Sequence, residues 1–144
     1  MSESHHEGFA RKHPPSAVLE KRLAAALNEK IKAGHISCAA AHDVARQMAC
    51  SPAEVGQALD LMEVRLSRCQ LGLFGYQPEK RIVKKAEHWE AGLEQEIRDA
   101  LQDGRLPCID AWAIADRRRI PRLAVANVCE ALAIKVRPCQ LGAF

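Results

Sequence analysis

The chain has 144 residues, with 21 basic and 18 acidic side chains for a formal charge of +3, and is 48% hydrophobic but only 4% aromatic. That balance gives no global positive excess for nucleic acid, and no apolar run approaches the roughly 18 residues of a membrane span. With few aromatic rings, Leu, Ile, Val and Ala must fill the core, and small side chains favour closely packed helices, so a mainly α protein is expected.

Residues 1–16 (MSESHHEGFARKHPPS) lack the apolar centre of a signal peptide and read as a flexible tail, with His5, His6 and His13 as solvated polar groups. A cytoplasmic protein with no membrane association is expected, and its six cysteines then read as thiols rather than a disulfide framework. From residue 17 the chain shows an internal repeat. A constant shift of 70, the distance from Cys69 to Cys139, aligns Leu23 with Leu93, Gly34 with Gly104, Cys38 with Cys108, Ala45 with Ala115 and Val55 with Val125. Two modules are expected, 17–76 and 93–144, joined by a connector over 77–92. A unit of 50 to 60 residues alone buries only about 60% of its unfolded surface, so the copies are expected to pack as a pseudo-two-fold pair.

Leu19, Leu23, Leu27 and Ile31 recur every fourth residue, as do Leu93, Ile97 and Leu101, which predicts an amphipathic first helix. Gly34 and Gly104 are expected to end it. A short extended piece (His35-Ile36-Ser37, Arg105-Leu106-Pro107) leads to a second helix opening at Cys38 or Cys108. Ser51-Pro52-Ala53-Glu54 carries a capping box for the third helix, while Pro121 predicts a start one residue sooner in the second copy. Val64-Arg65-Leu66-Ser67 and Ile134-Lys135-Val136-Arg137 alternate as half-buried strands do. In the connector, Pro78 starts what reads as a helix running into the second copy.

Helix, extended piece, helix, helix, strand is an order that resembles the winged helix-turn-helix superfamily. The resemblance is carried by Ala45, Cys50 and Val55, and again by Ala115, Ile120 and Val125: a small residue where helices cross, an apolar residue in the turn, a branched residue ten places on. The turn position that glycine often holds is Ala49 or Arg119 here, and no second wing strand is evident. The resemblance implies a fold of two tandem winged-helix-like modules with short β segments, the extended piece before helix two pairing with the strand.

It also implies a DNA-binding, transcription-regulatory type of protein, with double-stranded DNA as partner. Residues at the start of the third helix face the major groove, and Arg and Asn read guanine and adenine edges. The candidates are Arg117, Arg118, Arg119, Arg122 and Asn127, with Gln57 in the first copy. An alternative is a protein–protein adaptor whose contact surface is the block closing each module. Those blocks are Cys69, Gln70, Leu71, Gly72 and Phe74, and Cys139, Gln140, Leu141, Gly142 and Phe144. Structurally they read as a turn with Leu and Phe folded back on their own module. A third reading makes Cys38, Cys69, Cys108 and Cys139 a thiolate metal or redox sensor, though no Cys-x-x-Cys occurs and the expectation is no metal and no cofactor. No nucleophile elbow, metalloprotease signature or phosphate loop appears, so no enzyme is expected.

Overall fold

A computed structural model describes residues 20–143; the expected tail and Phe144 lie outside the described residues. The protein is mainly helical with a small two-stranded sheet, and the chain divides after Ser67 into two compact units.

In the first unit, α1 (Lys21–Asn28) is capped by Glu20, whose carboxylate accepts from the amides of Arg22 (3.0 Å) and Leu23 (2.8 Å). Leu23 and Leu27 are buried from this helix. It stops well before Gly34, contrary to the sequence expectation. Ala33 and Gly34 are both left-handed (φ 51° and 79°) and form the tip of a tight hairpin in which Lys32 and His35 exchange backbone hydrogen bonds. Such a two-residue turn needs positive φ at both centres, which is what the glycine serves. β1 (His35–Ser37) then runs parallel to β2 (Arg65–Ser67), with Ile36 opposite Leu66, as expected.

Ser37 caps α2 (Cys38–Gln47) by accepting from the Ala40 amide at 3.1 Å. α3 (Pro52–Leu61) carries the anticipated Ser51–Glu54 capping box. Between them Ala49 is left-handed (φ 54°), and the Cys50 amide reaches back to the Ala45 carbonyl at 3.0 Å, a six-to-one closure of the helix end. Val44, Ala45, Val55, Ala58 and Leu59 fill the space between the two helices.

The second unit contains α4 (Leu93–Asp99), α5 (Cys108–Arg118) and α6 (Arg122–Ala131). Asp103 and Gly104 form the same left-handed hairpin tip, and Leu106 bridges Val136 in parallel. Arg119 is left-handed (φ 56°) at the corner, and Ile120 donates to the Ala115 carbonyl at 3.0 Å. α6 does not begin early: Pro121 takes the cap position, in line with Ser51 at the shift of 70, because a proline lacking an N–H suits the non-helical entry as well as the first turn.

Two further expectations fail in this unit. Residues 77–92 contain no helix. The segment is held extended because its amides find tertiary partners: Ile82 and Val83 donate to the Gly72 carbonyl (2.8 and 3.2 Å), Lys84 to Asn127 Oδ1 (2.8 Å) and Ala86 to the Asn127 carbonyl (3.0 Å). The module boundary also moves. Cys69, Leu71 and Val83 join the hydrophobic cluster of Ile97, Ile114, Val125 and Val128, so the first closing block packs on the second unit and not on its own module. Burying a leucine as fully as Leu71 is worth about 1.5–3 kcal/mol, enough to draw the block across.

Candidate binding surface of the second unit

The corner between α5 and α6 was expected to present a free basic face. It does so only in part. Arg117 and Arg118 both hydrogen-bond the carboxylate of Glu96 on α4. These two guanidinium groups hold the Glu96 carboxyl below the usual range. Arg122 stacks over the Trp112 ring, its guanidinium carbon 3.7 Å from the ring centroid, and pairs with Asp116 at 3.2 Å. Arg119 is exposed and makes no ion pair among the described residues.

Asn127, expected on the reading side of the third helix, is engaged by the chain itself. Its side-chain oxygen accepts from Lys84 and its carbonyl from Ala86, while Arg81 pairs with Glu130 one turn further on at 2.9 Å. The connector therefore runs against α6 at Asn127 and Glu130. Gln57 lies half-buried on α3 of the first unit, on a helix that also carries Glu54 and Asp60. The sequence singled out the arginines by residue type, and Asp116 is close to them in sequence; the partners Glu96 and Trp112 carried no signal without the fold.

The closing blocks form turns. Gly72 (φ 75°) donates to the Cys69 carbonyl at 2.9 Å and Gly142 (φ 81°) to the Cys139 carbonyl at 3.1 Å. Gln70 Oε1 accepts from Arg122 at 3.5 Å, and Gln140 Nε2 donates to Cys108 Sγ at 3.5 Å. Leu71 and Leu141 are buried and Phe74 is half-buried.

Three of the four repeated thiols, Cys69, Cys108 and Cys139, lie near enough in this unit to influence one another's ionisation. Burial pushes the Cys69 thiol up, against the amides of Leu73, Leu71 and Phe74 that face it. Burial likewise pushes Cys108 up to about 11 and Cys129, in the core, up to about 12. These are neutral thiols in the neutral pH range, neither strong nucleophiles nor ready ligands. Among the described residues no three His, Cys, Asp or Glu side chains are arranged to hold a metal ion. Cys38 opens α2 of the first unit, buried there, and Cys50 is half-buried with its thiol raised, first by burial and then by Glu54.

What the second unit leaves open is a groove of about 750 Å³ alongside the C-terminal half of α6, with connector residues among its lining. Leu73, Phe74 and Ile134 contribute apolar walls, and Arg81, Lys85, Lys135 and Arg137 line it as cations, with Glu130 as the one carboxylate side chain among the described residues. Of these, Phe74 was foreseen in a contact surface and Leu73 was not; Lys135 and Arg137 were read only as outward positions of a strand. No protein-family model, no curated protein and no solved structure matches this chain.

Proposed function

We propose that this chain is a binding protein of the adaptor type, built from two helix-turn-helix modules of winged-helix kind, and not an enzyme. Support for paired modules comes from backbone geometry. Left-handed residues recur 70 apart at Ala33 and Asp103, Ala49 and Arg119, Glu63 and Ala133, and Gly72 and Gly142. Buried positions recur likewise, as in Leu27 and Ile97, Val44 and Ile114, and Val55 and Val125.

The observation that carries the adaptor reading over the DNA reading is the cover on α6. A recognition helix must present side chains to base edges. Here Asn127 is already hydrogen-bonded by Lys84 and Ala86, and three of the four corner arginines are matched to carboxylates. Those matched charges would have to be stripped before they could meet phosphate. DNA contact remains the second reading, favoured by the exposed Arg119 beside Arg117 and Arg118 at one corner.

A mobility-shift titration on mixed-sequence duplex at low salt separates the two, because phosphate contacts are strongest there. The adaptor reading expects no saturable shift, and no difference between the protein and an Arg118→Ala, Arg119→Ala, Arg122→Ala variant. A salt-dependent shift abolished in that variant overturns it in favour of DNA.

A further inference from the structure

The groove beside the closing block carries a more specific assignment, which rests on the adaptor reading. We propose that it receives an extended acidic segment of a partner protein, laid along residues 135–137 as an added strand that pairs at Val136. Two independent features of the second unit converge on this ligand chemistry.

The first is charge. Among the described residues, four cationic side chains line the groove against one carboxylate side chain, and that carboxylate, Glu130, is already paired with Arg81. Lys85, Lys135 and Arg137 are exposed and make no ion pair among the described residues. With Leu73, Phe74 and Ile134 as walls, the site matches a ligand that is apolar along one side and anionic along the other.

The second is an open backbone edge. Leu106 donates to the Lys135 carbonyl at 2.9 Å and accepts from the Arg137 amide at 2.8 Å. In an extended chain, the intervening residue directs its N–H and C=O to the opposite edge. Neither backbone group of Val136 makes a hydrogen bond among the described residues. Lys135 and Arg137 are exposed while Ile134 and Val136 are buried, so the segment alternates as a strand does. An incoming strand would pair with Val136 through its main chain. Its acidic residues would fall beside Lys135 and Arg137, and its apolar ones between them toward Leu73 and Phe74. Main-chain pairing supplies affinity in such additions, and alternate side chains supply selectivity.

The test is fluorescence anisotropy with the full chain and a fluorescein-labelled peptide alternating Glu and Val. A peptide of the same composition in scrambled order serves as control, and a third carries N-methyl groups on alternate amides. Saturable binding of the alternating peptide is expected, weakened about ten-fold by Lys135→Glu with Arg137→Glu. N-methylation on the pairing edge is expected to weaken it about as much, since it removes donors that a purely electrostatic contact does not use. Lys85→Glu, on the connector and away from the strand, keeps the charge test independent of any folding defect in the double variant. Absence of binding, or binding indifferent to both charge reversal and N-methylation, overturns the proposal. If the peptide fails and duplex DNA also fails to bind, this groove assignment falls while the adaptor reading stands. Duplex binding through the corner arginines removes that reading itself.

Discussion

The two closing blocks begin with the same four residues in the same turn, and the molecule uses them differently. Gly72 is wedged: a Cβ there would lie 2.5 Å from Leu123 Cδ1 and 2.9 Å from Ile82 Cγ1, and its carbonyl anchors the connector through Ile82 and Val83. Gly142 has open space where its Cβ would be. The Tyr76 hydroxyl donates to the Cys69 carbonyl at 2.6 Å, which ties the first block down again seven residues on. The shared residues specify a turn. What surrounds that turn decides whether it is an anchor or an open end.

Substitutions sharpen this contrast. Leu71→Ala is expected to have the largest effect, about 2–5 kcal/mol by chemical denaturation, because it opens a cavity in the second unit's core. The loss should appear in the unfolding of residues 68–144 rather than of the first unit; a loss confined to the first unit would break the comparison. Gly72→Ala comes next, at about 1–3 kcal/mol, since strained φ adds to a clash that Leu123 and Ile82 must relieve. Gly142→Ala should cost only the left-handed strain, about 1 kcal/mol. Equal costs at the two glycines would mean that the first block is not wedged.

The two corners offer a test of opposite sign. Ala49 and Arg119 both hold left-handed backbone, where glycine is unstrained, so Ala49→Gly and Arg119→Gly should each stabilise by about 0.5–1 kcal/mol in thermal unfolding. Destabilisation at either would show that its corner is built otherwise. The smallest effects are expected from titration. Cys108 is raised to about 11, so the stability from keeping its thiol neutral is fully present below the ordinary value of 9.0 and is lost as pH rises from there to about 11. Glu96 is lowered, so its contribution is present above the ordinary carboxylate range and is lost as pH falls through its depressed value. Alkylation followed by mass spectrometry at pH 8 should therefore label Cys108 and Cys129 far more slowly than in the denatured chain. Rapid labelling of either would contradict their burial.

Much of the helical scaffold was legible because it is written locally. The Ser51–Glu54 capping box, the apolar spacing of Leu23 and Leu27, and the small Ala45 and Ala115 at the helix crossings all specify their elements within a few residues. That the extended piece at Ile36 pairs with the strand at Leu66 is what the winged-helix resemblance implied; the parallel sense and the register came only with the fold. The connector was misread because nothing in its sequence forbids a helix, whereas its extended form depends on acceptors from Gly72 and from Asn127, distant from much of it in sequence. The corner arginines are a free surface only in part for the same reason: Glu96 meets Arg117 and Arg118 only once α4 and α5 have packed.

The covering of α6 by residues 82–86 separates a protein that offers the groove from one that offers the helix. Native-state hydrogen exchange of the full chain, read at the Lys84 and Ala86 amides, addresses it directly. These amides should be protected to nearly the degree of those inside α6, and Asn127→Ala should abolish protection at Lys84 while leaving the helix amides slow. Exchange at Lys84 and Ala86 as fast as in an unstructured peptide would contradict the account and return the face of α6 to solvent.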